Sequence, residues 1–126
     1  MNVQCISPID GTVYAEREFL TRPEANIAIE SAKLAQVAWA ARPLSERVSL
    51  MQAGVAAVGA MNHEVISELA HQMGRPVRYG GEFGGFDERA SYMAEIAQEA
   101  LATIQVEDSK EFRRMIKRVP HGVVLV

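Results

Sequence analysis

Arg118-Val119-Pro120-His121-Gly122-Val123-Val124-Leu125-Val126 is the stretch that decides the fold class of this chain. A turn at Pro120-His121-Gly122 leads into four consecutive apolar residues. Continuous apolar runs are typical of strands buried on both faces, as in parallel sheets. A parallel sheet needs further strands and covering helices, and the sequence stops at Val126. We therefore predict a strand over 123–126 and interpret the chain as the N-terminal piece of a larger α/β protein.

A β-hairpin and a helix are predicted at the N-terminus from turn and capping residues. Residues 3–6 and 12–19 favour strands, and the Ser7–Gly11 segment between them contains the turn formers Pro, Asp and Gly. The pattern Thr21-Arg22-Pro23-Glu24 is that of a capping box, so a helix is expected to begin there. Arg42 precedes a proline, which disfavours helical backbone and ends the helix.

Three more helices and a second strand region are predicted downstream. The second helix covers about 44–61, and the third runs from a cap at Asn62 to Met73, with Gly74 as its terminator. The fourth is clearest over 86–102. Four glycines between 80 and 85 fit either a loop or a helix start whose small residues permit close packing. Residues 112–119 favour a strand. The fold class predicted for this piece is mostly helical, with an N-terminal hairpin, about four helices and C-terminal strands.

Composition excludes several classes of partner. The 126 residues include 13 Lys+Arg and 16 Asp+Glu, and the formal net charge is −3. Nucleic-acid-binding domains are usually basic, and no run approaches the roughly 18 apolar residues that a membrane helix needs. The chain has a single cysteine and no signal-peptide pattern. We therefore expect a cytoplasmic protein that binds neither nucleic acid nor membrane.

No complete active site is apparent from the residues themselves. Glu68 and His71 have the Glu-x-x-His spacing of di-iron bundles, but such sites need a second copy and two further glutamates. An exposed helix face is the simpler interpretation, and no metal is expected. The glycines of 80–85 lack the lysine of a phosphate-binding loop and the strand of a dinucleotide motif. Cys5 has no neighbouring base to activate it. The basic cluster within 113–118 is typical of a strand edge charged against mispairing.

Five motifs in order resemble those of the aldehyde dehydrogenase superfamily. SPIDGTV at 7–13 is similar to the family's NP-x-[TD]-G-x-[VL] opening, and AKLAQVAW at 32–39 resembles its A-x-x-A-x-x-x-W helix. PLSER at 43–47 follows as P-x-x-E-R, and ELAHQMGRP at 68–76 resembles the E-x-G-[KR]-P helix end, with Glu82 where a further acid usually stands. RVPHGVV at 118–124 matches R-x-P-[LV]-G-V-V except at His121. The motifs extend over nearly the whole chain.

The resemblance implies that the parent enzyme oxidises an aldehyde to a carboxylic acid with NAD or NADP. It places the Pro-Trp-Asn motif, the cofactor-binding lysine, the general-base glutamate and the nucleophilic cysteine after Val126. Catalytic and cofactor-binding residues are therefore not expected within 1–126, and the chain alone is expected to bind no cofactor and to be inactive. Residues 1–126 would form the N-terminal part of the cofactor-binding domain. Residues 106–120 would belong to a bridging hairpin that supports a homo-oligomer.

The resemblance also implies which residues face the substrate. In the family the fourth helix lines the channel through which a small aldehyde reaches the active site. Glu82, Gly85 and Arg89 are the residues expected to face this channel. Plain surface or packing roles for the three positions stay open. For the whole chain, a self-standing helical interaction module without catalysis is the alternative function.

Overall fold

The computed structural model describes residues 2–126, which form two antiparallel hairpins with a helical block between them. The predicted fold class is confirmed, with an N-terminal hairpin, four helices and C-terminal strands. Within the described part of the chain, no helix has the length and apolar character needed to cross a membrane. The elements in chain order are β1 (Asn2–Ile6), β2 (Val13–Glu18), α1 (Arg22–Ala41), α2 (Leu44–Ala60), α3 (Asn62–Met73), a 3-10 turn (Val77–Tyr79), α4 (Phe83–Ala100), β3 (Ile104–Asp108) and β4 (Arg113–Ile116).

The N-terminal hairpin is held by its turn. β1 and β2 pair from Asn2 opposite Glu18 to Ile6 opposite Val13. The buried Ser7 donates its backbone N–H to the Thr12 carbonyl at 2.8 Å and accepts from the Gly11 N–H at 2.8 Å. Gly11 has φ of +75°, a left-handed conformation that favours glycine. The turn predicted over 7–11 is therefore confirmed.

The capping box predicted for α1 is formed as the sequence indicates. The Thr21 hydroxyl accepts from the Glu24 backbone N–H at 3.4 Å, and the Glu24 carboxylate accepts from the Thr21 N–H at 2.7 Å. The Thr21 hydroxyl also donates to the Glu24 carboxylate at 2.7 Å, and this bond, followed by the bond from the Thr21 N–H, lowers the pKa of Glu24. No residue of α1 is buried, and Leu34 in this helix is 77% exposed.

The core of the described residues is small, with one buried apolar residue on α2 and one on α3. Val55 and Ala70 are the buried apolar residues among 2–126. α2 packs against α4, and Gly59 of α2 lies against the Phe83 ring so closely that a Cβ would collide with it. The two helices therefore approach each other closely at Gly59.

The start of α3 differs from the prediction. Its N-cap is Met61, with φ of −91° and ψ of 2°, and Asn62 is the first helical residue. A capping side chain needs an extended backbone at the cap position, and the chain passes from α2 to α3 without one. The predicted end is confirmed, because Gly74 follows Met73 with φ of +73°.

The start of α4 also differs. The helix begins at Phe83 rather than Phe86, so Gly84 and Gly85 lie in its first turn while Gly80 and Gly81 lie in the preceding loop. The strand predicted over 112–119 is shorter, at Arg113–Ile116, and pairs with β3. The residue pattern did not predict β3, although the family resemblance implied a hairpin over 106–120.

The strand predicted over 123–126 is not formed. A strand requires a neighbour whose backbone N–H and C=O groups pair with its own, and the sheets described within 2–126 contain only β1–β2 and β3–β4. The four side chains are exposed, Leu125 to 95%.

Candidate functional site

Two of the three predicted channel residues share one concave surface. Gly85 and Arg89 lie four residues apart on α4, and together with Glu88 and Tyr92 they line a shallow concavity of about 260 Å³. A Cβ on Gly85 would meet no atom within 4 Å. The surface over Gly85 is therefore open to a side chain or to a ligand.

Glu82 lies at the N-cap of α4 and does not line that concavity. Its carboxylate forms an ion pair with Arg75. The Nε of Arg75 also donates to the Gly80 carbonyl at 3.1 Å. One guanidinium thus connects both ends of the loop that leads into α4.

The same loop is fitted closely against α3. A Cβ on Gly81 would collide with the Oδ1 atom of Asn62 and come within 3.4 Å of Ile66. Gly80 has φ of +67°. Glycine suits both positions, since Gly80 adopts left-handed backbone and Gly81 lies close to the Asn62 side chain. Sequence reasoning missed Arg75 as the residue that holds the loop. The sequence signal that could have identified Arg75 was the acidic residue Glu82, its ion-pair partner.

The concavity on α4 can bind polar groups, and its lining contains no Ser, Thr or Cys nucleophile. It places the Glu88 carboxylate, the Arg89 guanidinium and the Tyr92 hydroxyl around an open glycine. Nucleophilic catalysis requires a nucleophile within hydrogen-bond reach of a base, and these four residues include no Ser, Thr, Cys, Lys or His.

A polar cluster docks the N-terminal hairpin on α3. The Tyr14 hydroxyl donates to Glu68 Oε1 at 2.8 Å, and the Gln72 amide donates to Glu68 Oε2 at 2.6 Å. The Tyr14 ring stacks on His71 with centroids 4.7 Å apart and planes 2° from parallel. Tyr14 therefore contacts both side chains, and Glu68 stays exposed as expected while it also helps to dock the hairpin on α3.

The electrostatics of this cluster follow from one hydrogen bond. The Tyr14 hydroxyl, followed by the Gln72 amide, holds the pKa of Glu68 below its ordinary value. The same bond to an anionic acceptor raises the pKa of Tyr14. Because both Glu68 oxygens are engaged by hydrogen-bond donors, the arrangement favours docking rather than metal binding. In residues 2–126 no group of three His, Cys, Asp or Glu is placed to hold a metal ion.

The four basic residues within 113–118 fall into two pairs with different surroundings. Arg113 and Arg114 face the acidic residues of β3 across the hairpin, at 3.5 Å from Asp108 and 3.4 Å from Glu107 respectively. Lys117 and Arg118 follow β4 and form no ion pair with the described residues. Cys5 lies 3.9 Å from the Gln72 carbonyl oxygen.

Comparison with known proteins identifies the family. The model of the aldehyde dehydrogenase family matches residues 1–126, and the chain belongs to that family.

Three solved structures are similar to the chain. An NAD-dependent benzaldehyde dehydrogenase from Corynebacterium glutamicum is 21% identical with a TM-score of 0.75, over 87% of this chain and 24% of its own. An indole-3-acetaldehyde dehydrogenase in apo form is 22% identical with a TM-score of 0.81, over 94% of this chain and 28% of its own. A succinic semialdehyde dehydrogenase from Streptococcus pyogenes in complex with NADP+ is 20% identical with a TM-score of 0.72, over 89% of this chain and 25% of its own. At these identities the likeness shows the fold, and the chain spans about a quarter of each structure.

Proposed function

We propose that the chain is the N-terminal part of the cofactor-binding domain of an enzyme that oxidises an aldehyde to a carboxylic acid with NAD or NADP. The family match over residues 1–126 carries this proposal. The similar structures add support, since one is named as NAD-dependent and another is in complex with NADP+.

The chain's own residues supply scaffold rather than chemistry in this proposal. Covalent oxidation of an aldehyde needs an activated thiolate, and hydride transfer needs a positioned nicotinamide. Cys5 lies in β1 beside a backbone carbonyl, which cannot accept its proton as a base would. The 126-residue chain is therefore proposed to be inactive alone and to bind no cofactor.

Within the whole enzyme, Gly85 and Arg89 are proposed to line the aldehyde channel. Their shared concavity and the open space over Gly85 support this role. Glu82 is proposed to lie at the rim, where its ion pair with Arg75 fixes the loop. Residues 106–120 are proposed to belong to a bridging hairpin in a cytoplasmic homo-oligomer. The exposure of Val106 and Ile116 supports a surface that another element covers.

Two assays test the proposal. The coding DNA after codon 126 should continue in frame into Pro-Trp-Asn, and the protein made from the whole reading frame should reduce NAD or NADP when an aldehyde is added. The 126-residue chain should show no such turnover. Turnover by the chain that survives Cys5→Ser and is absent from a mock purification would contradict the proposed division of roles. A stop codon directly after Val126 in intact genomic DNA would favour an interaction module.

A further inference from the structure

The cavity between the start of α2 and the segment after β4 lies apart from the proposed aldehyde channel. Its volume is about 560 Å³, within the range of small-molecule sites. Both apolar and basic side chains line it, and no acidic residue does. The lining residues are Leu44, Arg47, Leu101, Ile116, Lys117, Arg118, Val119, Pro120 and His121.

The charge of this cavity is uncompensated within the described residues. Arg47, Lys117 and Arg118 form no ion pair and no side-chain hydrogen bond there. Neighbouring basic residues are neutralised, because Arg42 pairs with Glu46 and Arg114 with Glu107. Three cations therefore border one concave space without a local counter-charge.

Arg47 carries the most specific signal. Its side chain is half-buried, and its Nε atom is enclosed without an acceptor among residues 2–126. Buried guanidinium groups normally satisfy their N–H donors, most strongly with the planar or tetrahedral oxygens of carboxylate and phosphate. The enclosed Nε is out of reach of a ligand, but the terminal nitrogens of Arg47 form no hydrogen bond with the described residues and leave donor capacity at the cavity wall that an oxyanion would use.

The first turn of α2 adds to the positive electrostatic potential of this cavity. Leu44 is the first residue of this 17-residue helix and lines the cavity, and the N-cap Pro43 provides no side-chain cap. The N-terminal end of a helix carries partial positive charge and unsatisfied N–H groups. The helix end reinforces an attraction for anions that the three cations already create.

We propose that this cavity binds a small organic anion through its carboxylate or phosphate group. The oxyanion would contact Arg47 and Lys117, while an apolar body would rest on Leu44, Leu101 and Ile116. The inference uses residues of this chain alone and does not depend on the proposed enzymatic role.

Titration of the 126-residue chain with phenyl phosphate and, separately, with benzoate, at a concentration where sedimentation shows a monomer, tests this site and distinguishes the two anions. Calorimetry should show saturable binding to one site, and NMR shifts should be largest at the Leu44 amide and the Arg47 side chain. Arg47→Gln should weaken binding about tenfold or more, since it removes a charged bidentate donor. Arg22→Gln, at an exposed arginine without an ion pair, should leave binding unchanged.

Lys117→Gln provides a second test at an exposed position that does not contribute to the core, with Lys110→Gln as its control. Binding should weaken in the first variant only. Non-saturable binding of both anions would overturn the proposal. Equal weakening by the test and control variants would also overturn it, because it would indicate general charge attraction. A circular dichroism spectrum of Arg47→Gln would exclude misfolding as the cause.

Discussion

Tyr14 docks the first hairpin on α3 through a contact between two titratable groups. Its hydroxyl bond raises its own pKa above the ordinary 10.0 and lowers that of Glu68 below the ordinary 4.5. The Glu68 contribution to stability is therefore present above about pH 4.5 and lost as pH falls through its lowered pKa. The Tyr14 contribution is present below pH 10.0 and lost as pH rises through its raised pKa.

Between about pH 4.5 and pH 10.0 we expect Tyr14→Phe to weaken the docking of the first hairpin on α3. The variant should also lack the loss of stability at alkaline pH that ionisation of Tyr14 causes. The acid loss should shrink but persist, because Asp10 and Glu24 also have lowered pKa values. Amide exchange of β1 near neutral pH, followed by NMR, measures the loosening, and urea unfolding at pH values from about 2 to about 12 measures the acid and alkaline losses. Tyr92→Phe is the control, at an exposed tyrosine of α4. Equal acceleration of β1 exchange in both variants would contradict the docking role of Tyr14.

Gly85 tests the proposed channel in the enzyme made from the whole reading frame. Gly85→Leu should raise KM for bulky aldehydes roughly tenfold while changing KM for small ones less, since the added side chain occupies the open concavity. Gly84→Leu is a matched control, because Gly84 precedes it in α4 and also has open space. If the two variants raise KM for bulky and small aldehydes equally, the effect is general destabilisation and Gly85 does not line the channel.

Local signals predicted single residues well where residues within one turn decide the outcome. The Thr21–Glu24 box and the terminator at Gly74 depend on residues within one turn, and both are confirmed. Asn62 was predicted wrongly because its role depends on how α2 continues into α3. Arg75 and Tyr14 were missed because their partners, such as Glu68 for Tyr14, lie on other elements.

At the scale of elements, the α2–α4 contact depends on a glycine that the helix pattern does not explain. Gly59 and Gly54 both lie within α2, where each costs about 1 kcal/mol relative to alanine. They differ in their surroundings: a Cβ on Gly59 would collide with the Phe83 ring, whereas a Cβ on Gly54 would meet nothing within 4 Å. The two positions therefore form a matched pair.

We expect Gly54→Ala to stabilise the chain by about 0.5–1 kcal/mol through helix propensity. Gly59→Ala should forfeit that gain and destabilise by about 1 kcal/mol, because overpacking forces the Phe83 ring to move. Urea unfolding followed by circular dichroism measures both changes. Equal stabilisation by the two substitutions would show that the ring moves without cost and that Gly59 does not set the helix approach.

Elements with local signals were predicted to within a few residues, and those that depend on a distant partner were not. The hairpin and four helices follow from turns, caps and periodicity. β3 was missed because the alternation of apolar and polar residues over 104–107 is too short to predict a strand without its partner β4. The strand over 123–126 has the apolar composition of an inner strand, but composition does not supply the pairing edge that a strand needs.

At the scale of the whole molecule, the exposed surface far exceeds that of a compact domain. A monomer of 13.8 kDa is expected to expose about 6,600 Å², and this chain exposes 10,405 Å². The excess of about 3,800 Å² is larger than the roughly 1,600 Å² buried in a standard protein interface. Large apolar side chains contribute to it on α1, on β3–β4 and at 123–126.

We therefore expect the isolated chain to self-associate, since burying each large apolar side chain gains about 1.5–3 kcal/mol. The outer edges of β3 and β4 offer unpaired backbone for strand addition, and the charges of Arg113 and Arg114 do not prevent it because β3 neutralises them. Sedimentation velocity over a dilution series should show a mass above 13.8 kDa that falls on dilution. A variant that lacks residues 119–126 should dissociate at higher concentration than the intact chain. A chain that stays monomeric at high concentration and behaves the same without residues 119–126 would contradict this prediction and favour a self-standing helical module.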